Sequence, residues 1–484
     1  MIIVSITGPT MNDALMQVAG SSKYADMFEF RLDLIPQPNI ARLLNSTRKP
    51  RIVTCRPEWE GGSFMGAERK RIEMLEMASA FGADYVDIEL NVNPRTLQEF
   101  IRRKKDTKVI VSVHLFDADL FDVTKIYKAL VATGADVLKF AFTSRDAADN
   151  HLAFRFLSLA KQDAQKAVSI AMEECGEASR ALYRKFGGWA TYASPEAGAG
   201  VLPGQIPARE LKDLYRADRL TSSTKIYGVI GHPLGQSKGV YLHNPLFRRA
   251  GRNAVYCRFP VTDLDRFMKF VAPFLSGFSV TIPHKQSIIK HLDAIDPTAK
   301  AIGAVNTVIR RGGKLCGTNT DATGALDAIE RVTKVKGKRV LVIGGGGAAR
   351  AIAYEAKRRG AEVLIANRTE RKAKLLAKEF GVRMVRMAEL RWADFDILVN
   401  ATSVGMFPHV DESPVPKAIL KRKTIFDAVY NPPMTRLLRE AKRVGARVIQ
   451  GTEMYLNQAA LQSELHTGVK PKAATMRKLI SRLK

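Results

Sequence analysis

Short apolar segments recur eight times in about the first two hundred residues of this 484-residue chain, with amphipathic helical patterns such as 68–81 and 124–133 between them. The segments are 2–7, 27–33, 51–56, 85–90, 108–114, 137–142, 167–172 and 189–194. Strands that alternate with helices are typical of a parallel sheet. Eight such units predict an α/β fold whose N-terminal part is a closed (β/α)8 barrel of the TIM type.

Polar side chains stand near the ends of these segments, and barrel enzymes carry out their chemistry at the carboxyl ends of their strands. One charged residue in such a place is usually a cap or an ion pair, whereas many at one mouth indicate an active site. The polar positions are Glu29, Arg31, Arg56, Glu60, Asp87, Glu89, His114 and Lys139, followed in loops by Arg180 and Gln205.

Lys139 is the one charge in an otherwise apolar segment, 137–142. Alternate side chains of a strand share a face, so Val137, Lys139 and Ala141 point one way and the bulkier residues the other. A lysine near a strand end often reaches out to water, which is the simplest interpretation of this residue taken alone. Burial and neighbouring cations can instead leave the amine neutral, and a neutral amine attacks a carbonyl carbon to form an imine.

The other polar positions favour the second interpretation. His114 lies on the preceding strand and titrates near neutrality, so it can move a proton next to an imine formed by Lys139. Three arginines can hold a carboxylate by paired hydrogen bonds and can help to keep the amine neutral: Arg31, Arg56 and Arg180.

Residues 1 to about 215 resemble the type I 3-dehydroquinate dehydratases. The matching stretches are Glu29-Phe30-Arg31-Leu32-Asp33, Arg56 with Glu60-Gly61-Gly62, Ser112-Val113-His114, Lys139, Gly176-Glu177-Ala178-Ser179-Arg180 and Pro203-Gly204-Gln205. The resemblance implies that Lys139 is the Schiff-base lysine, His114 the general acid/base and Glu60 its support. The reaction implied is loss of water from 3-dehydroquinate to give 3-dehydroshikimate.

The same resemblance implies a set of substrate-binding residues, with Arg180 on the substrate carboxylate: Ser5, Glu29, Arg31, Arg56, Arg180 and Gln205. Two positions depart from the family pattern, Val201 in place of a serine and Leu115 in place of an aspartate. The first removes a loop hydrogen bond to the substrate, and the second changes the surroundings of His114.

A polar stretch, 218–224, follows an amphipathic pattern over 208–217 and precedes a new strand pattern at 225–230. Short polar stretches of this kind mark domain boundaries. We therefore predict a first domain over residues 1–220.

A glycine-rich turn is the main feature of the second half. A strand pattern at 340–343 leads into Gly344-Gly345-Gly346-Gly347-Ala348, and a helical pattern follows. Such glycines let a pyrophosphate approach the N-terminus of a helix. The next strand pattern ends in Asn367-Arg368-Thr369, with an arginine and without the acidic residue that binds a free ribose hydroxyl. The pattern predicts a Rossmann-type domain that binds NADP rather than NAD.

Lys285 and Asp321 stand at separate strand or loop ends ahead of this domain. Such residues could form an ordinary ion pair, or a proton-transfer pair beside a nicotinamide. Residues 224–484 closely resemble the shikimate dehydrogenases. The matching stretches are Gly231-His232-Pro233, Ser237, His243-Asn244, Ser279-Val280-Thr281-Ile282-Pro283-His284-Lys285, Gly303-Ala304-Val305-Asn306-Thr307, Thr318-Asn319-Thr320-Asp321, Ala401-Thr402-Ser403-Val404-Gly405-Met406, Asp427-Ala428-Val429-Tyr430-Asn431-Pro432 and Gly451 through Gln458.

By this resemblance Lys285 and Asp321 are the catalytic pair, and Lys285 donates the proton to the alkoxide formed when NADPH reduces the ketone. The implied substrate-binding residues are Ser237, Thr281, Asn306, Asp321, Tyr430 and Gln458. The implied NADP-binding residues are Gly344, Gly345, Gly346, Gly347, Ala348, Asn367, Arg368, Thr369, Ala428 and Gly451.

Two positions depart from this second family. Gly239 replaces a serine that would bind the substrate carboxylate, which leaves the choice between shikimate and quinate open, and Lys372 replaces an arginine of the cofactor loop. The family fold predicts a substrate domain over 224–325, to which residues 459–484 return, and an NADP domain over 326–458.

The composition limits the remaining classes of function. No apolar run reaches membrane-spanning length, the N-terminus reads as a strand rather than a targeting segment, and four scattered cysteines argue against a zinc site. We therefore expect a soluble cytoplasmic protein without a bound metal. The net charge of +28 is spread along the chain in short basic runs. It favours small anionic substrates over a specific nucleic-acid partner, although nucleic-acid binding is the competing interpretation.

Together these features predict a bifunctional shikimate-pathway enzyme of aromatic amino acid biosynthesis, which dehydrates 3-dehydroquinate and reduces 3-dehydroshikimate to shikimate with NADPH. A chain in which one half has lost its activity and serves as a scaffold is the alternative. The oligomeric state is left open.

Overall fold

The computed structural model of the protein describes residues 1–103, 106–117, 121–196, 204–235 and 237–481. Val201, one of the departures in the first half, lies outside these residues, as does Pro203. Contacts between Cα atoms divide the chain into two units. The first comprises Met1–Ile226 with Asn253–Phe274, and the second comprises Tyr227–Arg252 with Leu275–Lys484. The domain bounds predicted from the sequence stay a prediction.

Strands and helices alternate along most of the chain. The strands are β1 (Ile2–Ile6), β2 (Met27–Arg31), β3 (Arg51–Thr54), β4 (Tyr85–Glu89), β5 (Lys108–Leu115), β6 (Val137–Thr143), β7 (Ala167–Met172), β8 (Thr191–Ala193), β9 (Lys225–Gly231), β10 (Ala254–Pro260), β11 (Leu275–Val280), β12 (Ala294–Ile295), β13 (Thr307–Arg311), β14 (Lys314–Thr318), β15 (Arg339–Ile343), β16 (Glu362–Ala366), β17 (Arg383–Met384), β18 (Ile397–Asn400), β19 (Thr424–Asp427) and β20 (Arg447–Ile449).

The α-helices are α1 (Met11–Ser21), α2 (Ile40–Leu44), α3 (Glu68–Ala80), α4 (Pro94–Arg103), α5 (Val123–Ala132), α6 (Asn150–Gln162), α7 (Glu177–Leu182), α8 (Gly239–Arg249), α9 (Leu264–Phe270), α10 (Pro297–Ile302), α11 (Asp321–Glu330), α12 (Gly347–Arg358), α13 (Glu370–Phe380), α14 (Arg436–Arg443), α15 (Gly451–Thr467) and α16 (Ala473–Ser481). In the described part of the chain, none of these helices has the length and apolar character needed to cross a bilayer.

The first eight strands form one parallel sheet in the order β7-β6-β5-β4-β3-β2-β1-β8. Pairing of β8 with β1 curls the sheet round, and the backbone N–H of Trp189, just before β8, donates to the carbonyl of Ala167 at the start of β7. Each of the eight predicted segments coincides with a strand whose bounds differ by at most two residues. The predicted α/β barrel is therefore confirmed.

The barrel interior changes from apolar to polar along the strands. A lower layer of buried hydrophobic residues comprises Ile3, Met27, Ile52, Tyr85, Ile110 and Val137. Two residues further along each strand, and therefore on the same inward face, come Ser5, Glu29, Thr54, Asp87, Ser112 and Lys139, all of them buried. The apolar layer supports the barrel, and the polar layer lies at the carboxyl ends where a TIM barrel carries its active site.

The segment Asn253–Phe274 packs within the first unit through three carboxylates that follow β6 and β7. Arg258 pairs with Glu177 at 2.8 Å, the backbone and hydroxyl of Thr262 donate to Asp146, and Arg266 pairs with Asp149 at 2.8 Å. These contacts anchor the segment by charge and hydrogen bonding as well as by apolar packing.

The second unit contains two sheets. In the first, β9, β11, β13, β14 and β12 lie in that order, with antiparallel pairing of β13 to both β11 and β14. The other is wholly parallel in the order β17-β16-β15-β18-β19-β20. Val340 and Val342 pack into one hydrophobic core, and Leu341 and Ile343 pack into a second. Burial of both faces explains why β15 reads as a continuous apolar run.

Candidate active sites

The amine of Lys139 lies inside the barrel among carboxylates and one aromatic ring. Its residue is 5% exposed, and its Nζ is 2.8 Å from Oδ2 of Asp87 and 3.7 Å from Oε1 of Glu29. The same Nζ lies 4.3 Å from the centroid of the Tyr192 ring. Leu138, Phe140 and Phe142 point the other way, and Phe140 contacts the Phe156 ring of α6. The predicted alternation of side chains in this strand is confirmed, and the face that carries Lys139 is the one inside the barrel.

The guanidinium of Arg56 is occupied by carboxylates of the barrel itself. It lies 2.9 Å from Asp87 and 2.6 Å from Glu89, and it also donates to the hydroxyl of Ser112. Arg31 is likewise bound by both oxygens of Asp33. Burial raises the pKa of an aspartate, but for Asp87 the nearby Arg56 and Lys139 outweigh burial and lower the pKa.

This network differs from the expectation that arginines help to keep Lys139 neutral. The charged groups nearest its amine are the carboxylates of Asp87 and Glu29. Carboxylates also accompany the two arginines: Asp33 pairs with Arg31, and Glu89 together with the shared Asp87 pairs with Arg56. The physical reason is that a buried cation is costly unless a carboxylate accompanies it. The amine is therefore paired with Asp87 before any substrate arrives.

His114 and Glu60 form the predicted acid/base pair. Nδ1 of His114 is 2.8 Å from Oε2 of Glu60, and the backbone N–H of His114 donates to the same oxygen. Burial raises the pKa of Glu60 to about 7, and burial followed by the charge of Arg56 lowers the pKa of His114 well below its usual value. One oxygen of Glu60 therefore contacts both the backbone and the ring of His114 despite the departure at Leu115, and Asn91 donates to the other oxygen of Glu60.

Arg180 and Gln205 have buried polar atoms that the protein leaves unsatisfied. Arg180 is 1% exposed, and its Nη1 donates to the carbonyl of Ala171. Its Nε, like Oε1 of Gln205, finds no hydrogen-bond partner among the described residues. Burial lowers the pKa of Arg180 to about 10. A buried guanidinium with spare donors fits an anionic ligand, because unsatisfied polar groups are costly in the free protein.

Ser5 and Glu29 belong to the Lys139 cluster. The hydroxyl of Ser5 donates to one oxygen of Glu29 at 2.7 Å, and the hydroxyl of Thr54 donates to the other at 2.9 Å. The structure thus brings Ser5, Glu29, Arg56 and Lys139 into one network, and Glu60 with His114 into a second pair on neighbouring elements.

The second unit brings together the residues predicted for reduction. Nζ of Lys285 lies 2.5 Å from Oδ2 of Asp321, whose other oxygen accepts a hydrogen bond of 2.9 Å from Asn306. The side-chain oxygen Oδ1 of Asn306 accepts from the backbone N–H of Thr320. Gln458 on α15 lies 3.4 Å from the Thr320 hydroxyl. These contacts form a connected hydrogen-bond network from Lys285 to α15.

The remaining predicted substrate residues lie on different elements of the second unit. Tyr430 stacks on Tyr455 of α15, with ring centroids 4.8 Å apart. Thr281 directly follows β11, and its backbone N–H donates to the carbonyl of Ile230. Ser237 is half-buried just before α8, whose first residue is Gly239, one of the departures. The role of Ser237 in substrate binding stays a prediction.

The glycine-rich turn has the shape that a dinucleotide requires. Gly344 follows β15 with φ of +134°, a conformation that side chains with a Cβ rarely adopt. Gly346 precedes α12 and has open space where a side chain would be, and no side chain caps the helix. The first N–H groups of α12 are thus left for a ligand, as an anion at a helix N-terminus needs.

The end of β16 favours the 2′-phosphate of NADP. Arg368 is exposed there, and Asn367 stands where an acidic side chain would repel that phosphate. Thr369 follows and precedes α13, and the amide of Asn367 donates to its carbonyl. Ala428 and Gly451 follow β19 and β20 of the same parallel sheet, whose carboxyl ends lie on one edge.

In the sequence, Asp87 is one of the polar positions near the strand ends, but no role in the site was predicted for it. Its position two residues after Tyr85 on an inward face was the signal that could have placed it beside Lys139. Tyr192 and Thr320 were missed as well. Tyr192 reads as an ordinary core residue, and only the closure of the barrel by β8 brings its ring beneath Lys139.

Three family profiles match successive parts of the chain. The profile described as type I 3-dehydroquinase matches residues 2–222. The shikimate dehydrogenase substrate binding domain matches 229–308, and the shikimate/quinate 5-dehydrogenase profile matches 327–428.

Individual proteins show the same division. The chain is 38% identical to a bifunctional 3-dehydroquinate dehydratase/shikimate dehydrogenase, chloroplastic, from Arabidopsis thaliana, over 96% of this chain and 82% of that protein. It is 44% identical to a shikimate dehydrogenase (NADP(+)) from Pyrococcus abyssi, over 53% of this chain and 97% of that protein.

Solved structures match the second half. A crystal structure of a shikimate dehydrogenase in complex with NADP+ has a TM-score of 0.51 and 40% identity, over 55% of this chain and 98% of that one. The shikimate dehydrogenase of Aquifex aeolicus matches with a TM-score of 0.51 and 36% identity, over 54% of this chain and 98% of that one.

Proposed function

The chain belongs to the family of bifunctional 3-dehydroquinate dehydratase/shikimate dehydrogenases, and from that premise we propose which residues carry each reaction. The protein is a shikimate-pathway enzyme with a lyase half and an NADP-dependent oxidoreductase half. It dehydrates 3-dehydroquinate and reduces 3-dehydroshikimate to shikimate.

In the barrel, Lys139 is the nucleophile for the ketone of 3-dehydroquinate. Its amine adds to the carbonyl carbon, and the carbonyl oxygen leaves as water to give an imine. His114 takes a proton from the carbon next to the imine, and the electron pair left there expels the hydroxyl on the following carbon. The proton on His114 leaves with that hydroxyl as water, and hydrolysis of the imine releases 3-dehydroshikimate and restores the amine.

Arg180 binds the substrate carboxylate in this proposal. The observation that carries the dehydratase assignment is its buried guanidinium, whose Nε has no hydrogen-bond partner among the described residues, whereas Arg31 and Arg56 are paired with carboxylates. Gln205 faces the hydroxyls for the same reason, through its unpaired amide oxygen. Ser5, Glu29, Arg31 and Arg56 keep Lys139 in place and contribute substrate contacts.

In the second half, Lys285 donates the proton that the reduced ketone oxygen acquires. Asp321 holds the ammonium, and Asn306 holds Asp321. NADPH, when bound to Gly344–Ala348, Asn367–Thr369, Ala428 and Gly451, supplies the hydride. Thr281, Tyr430, Gln458 and Ser237 orient the substrate, and Gly239 leaves its carboxylate with one donor fewer.

One assay tests both assignments. Oxidation of NADPH after addition of 3-dehydroquinate alone requires both sites, and we expect it from the unaltered chain. Lys139→Ala should remove dehydration and leave reduction of added 3-dehydroshikimate, and Lys285→Ala should do the reverse. A half that has become a scaffold would show no change when its lysine is replaced.

We also propose that the protein works in the cytoplasm. All four cysteines are free thiols, and Cys55 and Cys257 are buried, which suits a reducing compartment. The Arabidopsis relative is chloroplastic, so fractionation of cells that express the protein is the measurement that decides the compartment.

A further inference from the structure

The stem of Lys285 takes up the space beside Gly347. A methyl group at position 347 would lie 2.9 Å from Cβ and 3.0 Å from Cδ of Lys285. Carbon atoms that are not bonded to each other prefer separations of about 3.5–4.0 Å. The stem of the lysine therefore occupies the space that any other residue at position 347 would need.

The other glycines of the turn have different surroundings. Gly344 needs its positive φ, and a methyl at Gly345 would meet Cβ of Lys372 at 3.1 Å. A methyl at Gly346 would meet nothing within 4 Å. Gly347 has an ordinary conformation as the first residue of α12, so its φ does not require glycine, and only the approach of Lys285 does.

Neither partner is free to move away. The carbonyl of Lys285 accepts a hydrogen bond of 2.7 Å from the backbone N–H of Val305, and its Nζ is held by Asp321. Helix α12 is tied down as well, because Nε of Arg350 donates to the carbonyl of Ile302 at 2.6 Å. A new methyl at 347 has to displace the lysine stem or part the helix from it.

We propose that Gly347 is a positioning residue for Lys285: by having no side chain, it lets the proton donor lie against the first turn of the cofactor helix, with its amine on Asp321. This inference rests on the proton-donor role proposed above for Lys285. It gives the fourth glycine of the turn a task in the chemistry that differs from contact with the pyrophosphate.

The test compares Gly347→Ala with Gly346→Ala and Lys285→Ala, each in the full chain. The measurements are kcat and KM for NADPH in the reduction of 3-dehydroshikimate, and the dissociation constant of NADPH from its fluorescence. We expect Gly347→Ala to lower kcat at saturating NADPH by about tenfold to a hundredfold, as misplacement of a reacting group by about 1 Å does. Gly346→Ala should act mainly on KM and on the dissociation constant.

The double variant Lys285→Gly with Gly347→Ala, compared with Lys285→Gly alone, gives the decisive comparison. Because glycine at position 285 removes Cβ as well as the rest of the stem, it empties the space beside position 347. The substitution at 347 should then change residual turnover and NADPH binding by less than about twofold. Should Gly347→Ala alone fail to fold, restored folding of the double variant supports the same steric conflict, and continued failure overturns it. Dehydratase activity and thermal melting report the folding of each variant.

Two results would overturn the inference. One is an effect of Gly347→Ala confined to KM for NADPH, like that of Gly346→Ala. The other is an equal loss of turnover from Gly347→Ala whether or not the side chain of Lys285 is present. An unchanged rate of 3-dehydroshikimate reduction in Lys285→Ala would be a separate result, because it would show that Lys285 is not the proton donor.

Discussion

Asp87 is the residue that most changes the description of the barrel site. It is completely buried, and it contacts the amine of Lys139, the guanidinium of Arg56 and the hydroxyl of Ser112. Its pKa is lowered, so its charge persists throughout the neutral range. A fixed negative charge beside Nζ stabilises the positive charge of the protonated imine that forms on this nitrogen during the reaction.

Asp87→Asn should therefore slow dehydration. The amide keeps the shape of the side chain but not its charge, and we expect kcat to fall at least about tenfold, since hydrogen bonds to charged groups contribute about 1.5–3 kcal/mol. The amount of imine on Lys139 that borohydride traps should fall in parallel. Asp106→Asn, at an exposed position before β5, is the matched control, and an unchanged kcat for Asp87→Asn would remove this role.

Glu60 gives the dehydratase a pH dependence of stated direction. Burial raises its pKa to about 7, so the carboxylate that supports a protonated His114 forms as pH rises through that value. We expect kcat/KM for 3-dehydroquinate to increase up to about pH 7, with the apparent pKa belonging to the pair. In Glu60→Gln the maximal kcat/KM should be lower, and the rise of kcat/KM up to about pH 7 should disappear. If the rise persists in this variant, another group causes it.

At the scale of elements, the buried His243 and the half-buried His466 lie where α8 meets α15. The rings of His243 and His466 have centroids 5.7 Å apart, and both lie near Phe247. Burial lowers the pKa of His243 to about 3, and burial followed by His243 lowers the pKa of His466. Packing of the two helices thus depends on neutral imidazoles.

This contact should weaken in acid. A folded-state pKa below the unfolded value of about 6.5 contributes stability that is present above pH 6.5 and is lost as pH falls toward 3. For His243 the loss at pH 5 is about 2 kcal/mol. Urea unfolding of the second unit, compared at pH 5 and pH 7, should show a smaller difference for His243→Gln than for the unaltered chain.

His409→Gln is the control for this measurement, because the side chain of His409 is 72% exposed. It should retain the full pH dependence. Equal pH dependence in His243→Gln and the unaltered protein would show that other groups cause the acid sensitivity.

At the scale of the whole molecule, two consecutive reactions share one chain with a net charge of +28. A tether raises the local concentration of an intermediate, and positive charge retains a carboxylate at low ionic strength. We expect a shorter lag in NADPH oxidation from 3-dehydroquinate for the unaltered chain than for an equimolar mixture of Lys139→Ala and Lys285→Ala. Identical lags at equal site concentrations would mean that the intermediate simply diffuses through solution.

The net charge also suggests a test of the competing interpretation, which is nucleic-acid binding. Nucleic-acid binding that falls steeply with salt would support a second use of the basic surface. Loss of all such binding at physiological ionic strength would leave only the small anionic substrates as partners.

The local pattern of the sequence was enough to predict the barrel and the Rossmann-type sheet. Alternation in the segment around Lys139 determines which side chains point inward, and the unbroken apolar runs at β15 and β16 indicate strands buried on both faces. The strand pattern depends on near neighbours in the chain. The pairs Glu60–His114 and Lys285–Asp321 are 54 and 36 residues apart, and the resemblance to known families implied them.

Only the tertiary structure decided which carboxylate accompanies Lys139. Asp87 and Lys139 are 52 residues apart, and nothing local shows that Asp87 pairs with both the amine and Arg56. The same holds for Gly347, whose need for glycine comes from a lysine stem on another segment. Strand order and packing set distances of 2 to 4 Å between such groups, and interactions at that range determine both the charge that each side chain carries and the room it has.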